Sequence, residues 1–498
     1  THCISSAASD VYKRQDYLDV VPPEQAGLQD ATKTRKSTLG FLFTCYAGLQ
    51  EDDSPIGHTS ALNGSTDEFA LPIEWRNDSG AFWDDYAYNL VSAANPDGLW
   101  GNYYKYIGQC YLFLRQVENN PGETLLQEWL PGEKEQWLAE AHFLIAYYHF
   151  ALLRKYGPIP VVTEYVPQST PSSDFGGRYH YDYCVNWIAY QLDLAAQNLP
   201  PTREGRATST MAKALKARVL MYAASPLWNG QFPFSSWKNK VNTPGDKDFF
   251  VGDDAKYKES IGRDDYGIEL VSSSYNEKKW ERAMEACQKA LDFALNEGGC
   301  RLYGTEASDM TLYQTELGNN DKWLPYVPGK EDNNIQENRE FKERVMMLRY
   351  MVASRYPHNK ELIWGLTGKN INSRIQGRIP AHIFQTGNKT SWAGGFSAIS
   401  PTLYTIEHFY TEDGVLPEEA ASTGDFASRA EWFQKAGIAG NNREDIIKLC
   451  VNREPRFYAW MAFDGGDYGS KLLKASSGDA GSPCVLNMKT CLLYTSPS

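Results

Sequence analysis

The chain has 498 residues, more than one hydrophobic core usually serves, so two lobes or a stack of small repeats are expected. Hydrophobic residues at 42% and charged residues at 22% are the mix of a folded globular chain and exclude disorder. The net charge of −13 speaks against a nucleic-acid binder, and no Lys/Arg-dense run suits an anionic membrane surface.

Aromatics carry more information. The 14 Trp, 31 Tyr and 21 Phe make 13% of the chain. Much of that must fill core, and an excess rich in Tyr and Trp also suits a surface that offers flat amphipathic faces to a ligand. The cysteines (Cys3, Cys45, Cys110, Cys184, Cys287, Cys300, Cys450, Cys484 and Cys491) form no C-x-x-C pair, and their odd number fits no complete disulfide framework. Cys45, Cys110, Cys184 and Cys287 read as buried small apolar residues on helices. No apolar run reaches the roughly 18–20 residues of a membrane span, and Thr1–Gln15 lacks a basic and then apolar signal peptide. "SSAASDVYKRQ" and "CLLYTSPS" read as adaptor sequence, so 1–15 is expected to be a non-native leader and 491–498 a non-native tail.

In chain order, helical periodicity starts over 36–50, with Leu39, Leu42, Phe43, Tyr46 and Leu49 on one face. Over 101–118 the face is Tyr104, Ile107, Tyr111 and Leu114, stopped by Asn119-Asn120-Pro121-Gly122. Over 133–156 it is Trp137, Ala141, Leu144, Tyr148 and Leu152, stopped by Gly157-Pro158. Near 179–199 it is Val185, Ile188, Leu192, Ala195 and Leu199, before Pro200-Pro201. The helix 208–224 carries a bulky stripe (Met211, Leu215, Val219, Tyr222) beside a smaller one (Ala214, Ala217, Met221, Ala224), as an inner helix of a repeat stack should. Over 277–297, Trp280, Ala283, Cys287, Leu291 and Ala294 share a face, with Trp137 and Trp280 both expected in core. The series reads as antiparallel pairs that resemble degenerate tetratricopeptide units.

Between the helices, 51–99, 226–276 and 299–337 are long Gly/Asp/Asn/Trp-rich insertions, and insertions of that length are usually functional or disordered. A further helix is expected near 336–352 and a strand over Glu361–Leu366, before a Gly/Asn/Ser-rich stretch over 368–402. The expected fold is mainly α. A tetratricopeptide-like helical-repeat scaffold occupies 16–300, and a loop-rich mixed α/β second lobe occupies 301–490.

Specific segments then carry a resemblance. "DYLDVVPPEQAGLQD" (Asp16–Asp30) with "FLFTCYAGL", "AEAHFLIAYYHFALLRKYGPIPVV" (Ala139–Val162) and "GRATSTMAKALKARVLMYAASPLWNG" (Gly205–Gly230) stand in the first part. "NKELIW" (Asn359–Trp364), "PTLYTIEHFYTEDG" (Pro401–Gly414) and "NREPRFYAWMAFDG" (Asn452–Gly465) follow in the second. In this order, over about 16–470, they resemble the SusD/RagB family. That resemblance implies an extracellular lipoprotein of a Gram-negative outer membrane that sits on a SusC-like TonB-dependent transporter. It would capture oligosaccharides or polysaccharides, or in some members peptides. The anchoring cysteine and its signal are missing here, so the membrane link is only implied. Family chains also continue past the "REPRFYA" segment, so this copy reads as cut short at both ends.

Catalytic chemistry is not visible. There is no H-E-x-x-H, G-x-S-x-G or Walker-type loop, and no cofactor is expected. His142 and His149 share a helix face and read as a core or interface pair rather than metal ligands. Asp246, Asp248, Asp253 and Asp254 read as a solvated acidic loop, since their spacing is not that of a calcium loop. A glycoside hydrolase with a carboxylate pair remains open, because 62 acidic residues hide any pair from inspection. A tetratricopeptide-like interaction scaffold also remains open. The binding reading rests on loop aromatics, since a flat ring beside Asn, Asp or Arg groups can hold a sugar's apolar face and hydroxyl rim. The expected ligand-binding residues are Trp75, Arg76, Asn77, Trp83, Tyr86, Trp323, Tyr326 and Trp392.

Overall fold

The computed structural model describes residues 27–49, 66–70, 92, 99–167, 169–171, 176–234, 237–238, 249–262, 269–309, 324–354, 358–365, 382–386, 389–392, 400–468 and 484–486. The chain divides into two units, 1–49 with 98–299 and 50–97 with 300–498. Of the insertion 51–99, only 66–70, 92 and 99 are among the described residues, and Phe69–Ala70 pairs with Ser400–Pro401.

The first unit is a stack of helices: α1 (Arg35–Tyr46), α2 (Leu99–Asn119), α3 (Glu123–Glu128), α4 (Glu133–Tyr156), α5 (Tyr181–Asn198), α6 (Ser209–Ala224) and α7 (Glu277–Asn296). α1 packs on α2, α2 on α4, α4 on α5, α5 on α6 and α6 on α7. That neighbour-to-neighbour packing is what a helical-repeat scaffold requires. The α4 limits match the periodic pattern, and Trp137, Ala141, Leu144, Tyr148 and Leu152 are all buried. On α5 and at its end, Val185, Ile188, Leu192, Ala195 and Leu199 are buried as the pattern requires.

Two helices turn differently from their expected faces. α1 buries Thr38, Phe41, Leu42 and Cys45, while Phe43 is exposed. The unbroken run Phe41-Leu42-Phe43 fits either phase, and the helix stops at Tyr46 before Leu49 can join it. α7 turns inward with Lys279, Arg282, Ala283, Ala290 and Ala294, leaving Trp280 41% and Leu291 54% exposed. Cys287 is only half-buried, unlike Cys45, Cys110 and Cys184. Trp137 is core as expected and Trp280 is not.

The cause is electrostatic. Lys279 Nζ sits 2.6 Å from Asp182 Oδ1, and Arg282 Nη2 sits 2.6 Å from Asp254 Oδ2. Lys216 joins the network at 3.0 Å from Asp254 and 2.8 Å from Asp193. Asp254 is thus a buried ion-pair partner rather than part of a solvated loop, whereas Asp253 is exposed beside Lys289. Asp246 and Asp248 lie outside the described residues. Burial pushes the Asp182 carboxyl upward, but Lys279 and His180 outweigh it and hold the group below the usual carboxylate range.

A second buried pair ties α4 to the start of α6. Arg206 donates to Glu140 through Nε at 2.8 Å and Nη2 at 2.6 Å, and Tyr46 Oη donates to Glu140 Oε2 at 2.7 Å. Losing one partner of such a pair costs about 3–5 kcal/mol, because the other charge is left buried alone.

The second unit holds α8 (Gln336–Ala353), α9 (Leu403–Glu407), α10 (Pro417–Thr423) and α11 (Pro455–Trp460). β1 (Phe69–Ala70) pairs antiparallel with β4 (Ser400–Pro401). β2 (His382–Thr386), β3 (Lys389–Trp392), β5 (Asp467–Tyr468) and β6 (Cys484–Leu486) form an antiparallel sheet in the order β3-β2-β6-β5. A core of Val327, Phe341, Val345, Ile446, Cys450, Phe457 and Tyr458 lies where α8 packs on α11. No strand forms over the described residues of the expected segment Glu361–Leu366. There Asn359 Oδ1 accepts from Glu361 N at 3.0 Å, a local turn that competes with a sheet ladder.

Candidate functional site

Of the ligand-binding residues expected from sequence, Trp75, Arg76, Asn77, Trp83, Tyr86 and Trp323 lie outside the described residues. Trp392 closes β3, in register with His382 of β2.

Tyr326 is half-buried in the second unit. The guanidinium carbon of Arg443 lies 3.6 Å from its ring centroid, and Arg443 Nη1 donates to Gly465 O at 2.6 Å. The phenol Oη donates to Glu331 Oε1 at 3.0 Å, an oxygen that also accepts from Gly329 N at 3.0 Å. Burial, then the hydrogen bond to Glu331, pushes the phenol up to about 12. One face and the hydroxyl are thus committed, and a sugar ring would have to stack on the opposite face.

A larger aromatic arrangement in the first unit escaped the sequence reading. After α6 the chain makes a short turn at Pro226–Trp228, then runs through Phe232, Phe234 and Trp237. Trp228 stacks on the buried Tyr181 at 4.1 Å and 7°. Phe232 lies 5.4 Å from Trp228 and 5.4 Å from Trp237, at 21° to each, and Phe234 stands edge-on to Phe232 at 5.7 Å. Trp228, Phe232 and Trp237 are half-buried, and Phe234 is 67% exposed.

The support behind these rings is polar and closely fitted. Arg178 lies between Trp100 and Trp237, 5.0 and 5.7 Å from their centroids, and donates to the carbonyls of Tyr156 and Pro158. Burial lowers its pKa. Asn229 Oδ1 accepts from Asn276 N at 2.8 Å, and its Nδ2 donates to Asn276 O at 3.1 Å. The turn therefore lies against the segment that carries Tyr275, which is 64% exposed. The signal in the sequence was the density of rings in "PLWNGQFPFSSW", masked by the Pro and Gly residues that mark it as a loop.

Among the described residues no group of His, Cys, Asp and Glu is placed to hold a metal ion. Among them, too, no helix is long and apolar enough to cross a membrane. His149 is buried, with Nδ1 on Ile145 O at 2.8 Å and Nε2 accepting from Val162 N at 3.2 Å.

Comparison with known proteins brings these features together. A family model described as starch-binding and associating with the outer membrane matches residues 16–221, and a SusD family model matches 360–490. A solved structure named BT4246 is 47% identical, with a TM-score of 0.74 over 92% of this chain and 68% of its own. The chain belongs to the SusD family. The selenomethionine form of BT4246 matches equally in identity, with a TM-score of 0.72 over 91% of this chain and 67% of its own. A SusD-like protein (BF3747) of Bacteroides fragilis shares 18% identity and a TM-score of 0.55 over 93% of this chain and 66% of its own, which shows the fold. None of the curated proteins compared matches. SusD proteins are carbohydrate-binding proteins of the outer-membrane surface and are generally non-catalytic.

Proposed function

We propose that this protein captures oligosaccharide or polysaccharide chains at the outer face of an outer membrane, held there by a lipid anchor. It passes them intact to a SusC-like TonB-dependent transporter. Membership of a starch-binding, outer-membrane-associating family carries this reading. Aromatic side chains would make the contacts: Trp75, Trp83, Tyr86, Trp323, Tyr326 and the strand residue Trp392, with Arg76 and Asn77 for the hydroxyl rim.

The magnitudes suit a captor that must let go. Covering one Trp face removes roughly 60–80 Å² of apolar area, worth about 1.5–2 kcal/mol. Two or three such platforms, less the cost of association, lead to roughly millimolar to micromolar affinity.

A glycan array followed by calorimetry on the hits tests the binding, and chromatography of the ligand after long incubation tests for cleavage. Binding with the ligand recovered intact is expected. Release of shorter products by pure protein, abolished by one Asp or Glu substitution, would replace this reading with a glycoside hydrolase. Absence of any glycan hit beside a peptide hit would move the ligand class.

A further inference from the structure

We infer that Phe234, backed by Phe232 and Trp237, forms a platform on the first unit for the apolar face of a neutral sugar residue. This inference rests on the glycan-binding reading and adds a site that the expected residues do not include, since Tyr326 and Trp392 belong to the second unit.

The argument starts from exposure. Rings that only built a core for their own insertion would bury the outermost member, yet Phe234 is 67% exposed while Tyr181 at the root is 1% exposed. Two of the rings behind Phe234 are closely packed. Trp228 is fixed on Tyr181 at 7°. Trp237 is fixed against Arg178 and Gly157, where a Cβ would come within 2.8 Å of its ring. Phe234 itself stands edge-on to Phe232 at 5.7 Å, and an aromatic side chain with two torsions has little entropy to lose when a flat ligand covers it.

Charge then selects the ligand. Of the described cations beside these rings, Arg178 is held by two carbonyls and two rings, and Lys238 lies 3.8 Å from Glu269. With a chain charge of −13 behind them, a uronate or sulfated sugar finds little gain from Arg178 and Lys238 and is repelled at long range. A neutral sugar loses nothing, and the exposed Gln231 and Tyr275 next to the rings offer groups for its hydroxyls.

The test is oxidative footprinting by mass spectrometry with and without maltoheptaose, then with neutral β-glucan and mannan oligosaccharides, and with an anionic oligosaccharide as contrast. Protection of Phe234 and Trp237 by a neutral sugar alone is the expected result. Phe234→Ala should weaken that sugar about 5- to 10-fold at an unchanged melting temperature, and Phe234→Tyr should restore it. A neutral sugar that binds yet leaves Phe234 unprotected, with Phe234→Ala binding as wild type does, overturns the platform and leaves the glycan reading standing. Equal protection by the anionic sugar overturns the selectivity. Binding of no sugar at all removes the glycan reading and the platform with it.

Discussion

Gly157 and Trp237 occupy one space: a Cβ on Gly157 would lie 2.8 Å from the Trp237 ring and 3.1 Å from that of Trp228. Gly157 also adopts φ 65° and ψ −141°, a conformation that L side chains strongly disfavour. It ends α4 and makes room for the aromatic insertion, so both demands fall on one residue. Gly157→Ala is expected to lose about 2–4 kcal/mol in denaturant unfolding. Adding Trp237→Ala should recover only the part that comes from the clash. A Gly157→Ala protein as stable as wild type would show that neither demand is real.

His149 predicts an acid-side loss of stability. Its imidazole is fully buried on α4, and burial lowers its pKa to about 4. The unfolded chain takes up this proton near pH 6.5, whereas the folded chain resists until about pH 4. The contribution is therefore whole above about pH 6.5 and is lost as pH falls toward 4, by about 3 kcal/mol at most. His149→Gln, which keeps a donor and an acceptor but cannot charge, should flatten the stability profile in that window relative to wild type. Parallel profiles for the two proteins would refute the assignment.

What could be read from the sequence divides by mechanism. α4 and α5 were legible because the apolar positions read from their periodicity are all buried and each is closed by Gly-Pro or Pro-Pro, although both helices bury further faces as well. α7 was legible as a helix, with Ala283 and Ala294 buried as expected, but its inward Lys279 and Arg282 were not, because they are neutralised by Asp182 and Asp254, partners that no local periodicity can supply. The same pairing hid the burial of Asp254 and turned Trp280 outward. Tyr326 was legible as a loop aromatic, but the cover of one face by Arg443, more than a hundred residues later, was not. The Phe232–Phe234–Trp237 rings were passed over because Pro and Gly between them give no period. Family segments were legible as text, and the fold supplies reasons for two of them, at Gly157 and at Arg453.

Arg453, in the segment Asn452-Arg453-Glu454-Pro455, organises the second unit from a fully buried position. Its Nη1 donates to Leu449 O at 2.8 Å, and its Nη2 to Ile406 O at 2.6 Å and Phe409 O at 2.7 Å. Its Nε reaches Tyr410 O at 3.4 Å, and the guanidinium carbon lies 4.6 Å from the Phe457 ring. Burial lowers its pKa to about 10, which still leaves it charged at neutral pH. The fork geometry matters more than the charge, because the accepting carbonyls come from the end of α9 and from the approach to α11. A lysine ammonium is a single point and cannot span them. Arg453→Lys should therefore strand two or more buried carbonyls at about 1–3 kcal/mol each, for a loss of roughly 3–5 kcal/mol. Arg453→Met removes the charge but satisfies no carbonyl, and should lose a similar amount. Denaturant unfolding of both variants measures this. A Lys variant within about 0.5 kcal/mol of wild type would mean that water or relaxed backbone satisfies those carbonyls, and that the buried fork is not what joins the segments.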